Sequence, residues 1–260
     1  MKWFKSNKEK IKGYVYSGDD EDGLFVDAKI GDLIIKQNKK PPYIVVDHTL
    51  ATKIITKWPG KLFHVEVINE KNEKDINKGL VKDVWYTRTF GVKILDEISL
   101  ESVFGENGKA IKNLIDLTRN IEIEEVELLA NYDTESNRPV LNKAWRNWVR
   151  MTDKEYEFFD EDYSDTLKMS PKNQVHSSPI REGLSIISSQ FDIRARELVG
   201  ESAFEIDDEG EIFLRPKWRA AVETLLQAGM SYESDNLITN EEKELLQRPM
   251  IEVFNTKQSG

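Results

Sequence analysis

The chain has 260 residues, 39% hydrophobic and 32% charged, with a net charge of −10, enough for one large domain or two smaller ones. Its six Trp, eleven Phe and eight Tyr exclude a disordered chain, since such rings must be buried to offset chain entropy. The absence of cysteine excludes disulfides, zinc–thiolate sites, iron–sulfur clusters and thiol nucleophiles together.

In chain order, residues 11–16 alternate apolar and polar, which predicts a half-buried strand. Residues 17–23 read as a turn. Strands are expected over 24–30, 33–37 and 43–46, the last after Pro41 and Pro42. A short helix is expected after Asp47 or Thr49, ended by Pro59 and Gly60. Residues 62–68 make the clearest strand, with Phe63, Val65 and Val67 on one face and His64 and Glu66 on the other. Residues 84–87 and 92–95 are expected to pair as a hairpin around Gly91. Ser99 then caps a helical turn.

The rest predicts helices. Residues 109–118 place Ile111, Leu114, Ile115 and Thr118 on one stripe, and residues 121–130 form a second, Glu-rich helix. Residues 133–139 are expected to be a linker. Residues 140–151 place Leu141, Ala144, Trp145 and Trp148 on one face. Pro179 starts a helix that stops at Gly200. Residues 203–206 and 211–214 flank Asp207, Asp208, Glu209 and Gly210 as a hairpin. Pro216 opens a helix expected to close at Gly229, and a last helix runs from about Asn240 to before Pro249. The expected class is α+β: a strand-rich N-terminal region with an antiparallel or mixed sheet, then a mostly helical C-terminal region with one β-hairpin. The expected domains are 1–132 and 140–260.

Catalytic templates fit poorly. The three histidines are His48, His64 and His176, and no G-x-S-x-G elbow is present. His176 lies beside Ser177 and Ser178 in a loop. His64 and Glu66 share a strand face, which suits metal ligation, proton transfer or plain solvation. Asp19, Asp20, Glu21 and Asp22 crowd one turn and Asp207, Asp208 and Glu209 another, but neither has the EF-hand register. Asp27 and Lys29, two apart, match the loose pattern of a Mg²⁺-dependent nuclease. No phosphate loop is present. Residues 104–109 place two glycines and Lys109 before a helix, though Glu106 opposes an anion. No cofactor and no metal is expected.

The charge is uneven. Residues 1–150 hold 25 Lys and Arg against 24 Asp and Glu (+1), whereas residues 151–260 hold 12 against 23 (−11). A surface so acidic repels phosphate backbones and attracts cations, so nucleic acid is not the expected partner. Lys2, Lys5, Lys8, Lys10 and Lys12, with Trp3 and Phe4, form a small N-terminal exception that solvation also explains. Within residues 153–165, seven acids alternate with aromatic rings. The candidate binding residues there are Asp153, Glu155, Tyr156, Glu157, Phe158, Phe159, Asp160, Glu161, Asp162 and Tyr163. Equally, Phe158 and Phe159 could anchor an irregular linker with a solvated edge.

In composition the chain resembles the acidic immunity proteins and antitoxins that neutralise basic bacterial toxins. That resemblance implies a non-enzymatic protein that engages and blocks a basic protein partner. Two alternatives stand beside it: a Mg²⁺-dependent hydrolase or nuclease using carboxylates such as Asp27 and Glu66, and a structural or assembly subunit of phage type. No run approaches the ~18 apolar residues of a membrane span, and no apolar stretch follows the first lysines as in a secretory signal. The expected compartment is the cytoplasm, with no membrane contact.

Overall fold

The computed structural model describes residues 10–19, 23–37, 43–50, 53, 55, 57–68, 86–152, 179–233 and 237–255. The chain divides into two compact units, Met1–Val103 and Phe104–Gly260. The fold is α+β, with an antiparallel sheet in the first unit and mostly helices in the second.

The first unit has strands β1 (Lys12–Tyr16), β2 (Leu33–Ile35), β3 (Ile44–Asp47), β4 (Leu62–Val67), β5 (Tyr86–Thr89) and β6 (Gly91–Ile98). Their order in the sheet is β2-β6-β4-β1-β3-β5. β5 and β6 are separated by Phe90 alone, yet β5 pairs with β3 while β6 pairs with β4 and β2. The expected hairpin around Gly91 is therefore absent. One long bent strand instead joins the β3 side of the sheet to the β4 side, and the ring β1-β3-β5/β6-β4 closes on itself. The Thr89 hydroxyl holds the bend by donating to the Gly91 carbonyl at 3.1 Å and accepting from the Gly91 amide at 3.2 Å.

Closure explains the core. Val15, Ile44, Val46, Phe63, Val65, Val67, Val92 and Ile94 form one buried cluster, each at a period-2 position turned inward. Phe25 and Ala28 join it from outside the strands. The strand expected over 24–30 is a turn at 24–27. The Val26 amide donates to the Gly23 carbonyl and the Ala28 amide to the Phe25 carbonyl. That spacing, rather than alternation, brings Phe25 and Ala28 inward. β1 and β3 approach very closely at Gly13, where a Cβ would lie 2.8 Å from Val46 Cγ1 and nearer still to the Asp47 carbonyl oxygen. Only glycine allows that approach.

The second unit has α1 (Gly108–Arg119), α2 (Ile123–Leu129), α3 (Thr134–Thr152), α4 (Pro179–Val199), β7 (Phe204–Ile206), β8 (Ile212–Leu214), α5 (Pro216–Glu233) and α6 (Asn240–Asn255). The α1 stripe is as expected: Ile111, Leu114, Ile115 and Thr118 are all buried. α5 is the central helix and packs against every other helix of the unit. Accordingly it is buried on several sides, through Trp218, Val222, Leu225, Ala228 and Met230.

Three helices run past their expected ends. α5 continues through Gly229, because a Cβ there would lie 2.9 Å from both Ile187 Cδ1 and Leu184 Cδ2, so the glycine serves close packing rather than termination. α6 continues through Pro249, which is buried beside Leu246 and Met250; that burial offsets the missing amide bond. The expected linker at 133–139 is helical from Thr134, with Pro139 inside α3. Asp133 caps it, its carboxylate accepting from the Ser136 amide at 3.2 Å.

Candidate functional site

Residues 153–178 lie outside the described residues, and with them Asp153, Glu155, Tyr156, Glu157, Phe158, Phe159, Asp160, Glu161, Asp162 and Tyr163, as well as His176. Lys2, Trp3, Phe4, Lys5, Lys8, Asp20, Glu21 and Asp22 also lie outside them.

Glu66 on β4 accepts an ion pair from Lys10 Nζ at 2.7 Å. His64, two residues back, packs its ring against Tyr14 at 5.5 Å. His48 Nε2 lies 2.9 Å from Thr87 Oγ1 on β5. Asp27 and Lys29 are exposed in and just after the 24–27 turn. Among the described residues, no three His, Asp or Glu side chains come together as a metal site would require. Before α1, the Asn107 side-chain amide donates to the Tyr232 carbonyl at 2.7 Å, tying α1 to α5 rather than facing an anion.

Asp207 organises a turn. Its Oδ1 accepts from the Glu209 and Glu211 amides, each at 2.9 Å, and Gly210 takes the positive φ of 86° that closes the reversal. The hairpin pairs Phe204 with Leu214, Glu205 with Phe213 and Ile206 with Ile212. At its base Phe204 is buried beneath the Arg196 guanidinium, 3.9 Å from the ring centroid. Towards the tip the hairpin is bare: Ile206 is 70% exposed, Ile212 54% and Phe213 46%. Glu205, Asp207, Asp208, Glu209 and Glu211 are interleaved with these three in sequence; residues 204–214 hold no base, and exposed Arg215 follows directly. Arg196 and Lys217, on the flanking helices, pair with Glu201 at 3.4 Å and Glu127 at 2.6 Å.

Comparison with protein-family models, with curated proteins and with solved structures finds no match to this chain.

The same unit holds two carboxyls under stress. Burial pushes the Glu233 carboxyl, at the end of α5, up to about 8, and its Oε1 has no hydrogen-bond partner among the described residues. Burial also raises Asp192 on α4, with Arg196 pulling the other way. Both groups belong to the packing of α4 and α5.

What the sequence missed is the exposure of the hairpin. The turn signature predicts its strands, but nothing in that signature tells that Ile206, Ile212 and Phe213 are exposed.

Proposed function

We propose that this chain is a binding protein with no chemistry of its own, engaging and blocking a basic protein through an acidic, apolar-centred surface in its second unit. The observation that carries this is the β7–β8 hairpin, where three exposed apolar side chains lie among five carboxylates, with exposed Arg215 directly after β8. Apolar centres with charged rims suit protein association: the apolar area supplies affinity and the rim supplies steering and partner choice. The surplus of acid over residues 151–260 adds long-range attraction for a cation and repulsion for nucleic acid. The expected setting is the cytoplasm. Among the described residues, no helix is long and apolar enough to cross a membrane.

The test compares the full chain with its E205K/D208K/E209K variant, both immobilised, in retaining purified cationic proteins. At ~0.02 M salt the native chain is expected to retain them and the variant to release them. Retention should also fall steeply by ~0.3 M salt, where the screening length drops well below 10 Å. Equal retention by both proteins, or indifference to salt, sinks the proposal.

A further inference from the structure

We infer that Asn107 is a site of spontaneous deamidation, and that the product unfastens α1 from α5.

The sequence supplies the reactive pair. Asn107–Gly108 is the one Asn-Gly step in the chain. Glycine has no side chain, so nothing on it shields its amide nitrogen from the carboxamide of the asparagine before it. The reaction is an internal displacement followed by hydrolysis. The Gly108 nitrogen bonds to Asn107 Cγ, the Cγ–Nδ2 bond breaks, and ammonia leaves with the amide proton. Water then opens the cyclic imide at either carbonyl, leaving aspartate or isoaspartate. Water is the only co-reactant, and nothing is oxidised or reduced.

The structure supplies the access. Asn107 is half-buried and follows exposed Gly105 and Glu106. A Cβ at Gly105 would meet nothing within 4 Å, so this loop borders open space. The Gly108 amide lies in the turn, donating to the Gly105 carbonyl at 3.2 Å. The Asn107 side chain does not cap α1; its Nδ2 donates to the Tyr232 carbonyl at 2.7 Å instead. With ψ at 16°, the Gly108 nitrogen is turned away from Cγ, so the reaction waits on opening of this turn. Opening requires release of those two bonds at a helix end, where fraying is easiest.

The same contacts give the consequence. Both products replace the nitrogen that faces the Tyr232 carbonyl with an oxygen, so attraction becomes repulsion. The new charge suits the N-terminus of α1 but opposes the C-terminus of α5, which makes aspartate the milder product. Isoaspartate also routes the backbone through the former side chain and lengthens it by a carbon just before Gly108. The Asn107 carbonyl, which accepts from the Ala110 amide at 2.9 Å and the Ile111 amide at 3.2 Å, is then out of place. Ile111 is fully buried, so the misfit reaches the packing of the helical unit.

The test incubates the full chain at physiological temperature over a series of neutral to alkaline pH values. Peptide mass spectrometry locates the change, and enzymatic methylation marks isoaspartate. Asn107 is expected to change before any other asparagine, and faster at higher pH because the attacking amide must give up its proton. Gly108→Ala is expected to slow the change at least about tenfold, by crowding the attacking nitrogen. Asn107→Gln, which needs a larger ring, gives a second check should that variant fail to fold, with circular dichroism reporting the fold. In the isoaspartate form, hydrogen exchange at Ala110 and Ile111 is expected to quicken at least about tenfold while β1–β6 stay unchanged. An Asn107 that lasts as long as the other asparagines, or variants that change at the native rate, overturn the site. Isoaspartate formed there without faster exchange overturns the release of α1.

Discussion

The strand unit and the helical unit fill their interiors under different constraints. In the first, the backbone itself sets the limits: the closed ring brings β1 so near β3 that position 13 has no room for a side chain. The ion pair of Lys53 Nζ and Asp47 Oδ2, at 3.2 Å, is closed in there with both side chains no more than 10% exposed. In the second, side chains mediate. A polar set links three helices, with Asn137 donating to Gln227 at 3.2 Å, Gln227 to the Thr134 carbonyl at 3.0 Å and Thr224 to the Leu129 carbonyl at 3.2 Å. Helices can slide by fractions of an ångström to absorb a change, but strands such as β1, held by hydrogen bonds on both sides, cannot. Substitutions at equal burial should therefore cost more in the strand unit.

Four substitutions sharpen or break that comparison. Lys53→Ala removes the cation paired with the buried Asp47 carboxylate and should cost about 3–5 kcal/mol. Hydrogen exchange should report the loss across β1–β6 and not across the helices. Gly13→Ala should cost about 3 kcal/mol, since the atoms it meets include β3 backbone. A loss under about 1 kcal/mol there by urea denaturation would refute the idea that the ring is rigid.

In the helical unit, Glu233 governs a pH dependence. Its folded value of about 8 lies above its ordinary value of 4.5, so the folded state keeps a proton that the unfolded state releases. Stability from this group is complete below about 4.5 and falls as the pH rises towards about 8. Thermal melts of Glu233→Gln should lose that decline, and an unchanged pH profile would show the carboxyl to be solvated. The smallest effect is expected at Thr239. Its hydroxyl accepts from the Glu242 amide at 3.3 Å, while Glu242 accepts from the Thr239 amide at 2.8 Å and binds Lys143 at 2.8 Å. This capping box starts α6, and Thr239→Ala should cost about 1 kcal/mol by thermal or urea denaturation.

Local chemistry makes much of the second unit legible in the amino-acid sequence. The stripe on α1, the Pro179 start and Gly200 stop of α4, and the acidic turn after β7 each follow from neighbours within a few residues. Gly229 and Pro249 look like breaks locally, but tertiary packing overrides them, while Pro139 lies exposed inside α3. Phe90 and Gly91 look like a hairpin turn because no local signal distinguishes a reversal from a bend whose two arms pair with distant strands. The chemistry of the candidate surface was legible as composition. Its location was not: the acidic turn reads alone as solvation, and only exposure of Ile206, Ile212 and Phe213 links it to recognition.

The junction at Phe90 also bears on how the molecule is assembled. β1, β3 and β4 are synthesised first, and they remain an open three-stranded sheet until residues 86–98 emerge to bridge its two margins. A nascent chain stalled before that point would present both margins to its neighbours on the polysome, and a fragment ending near residue 85 should precipitate rather than fold.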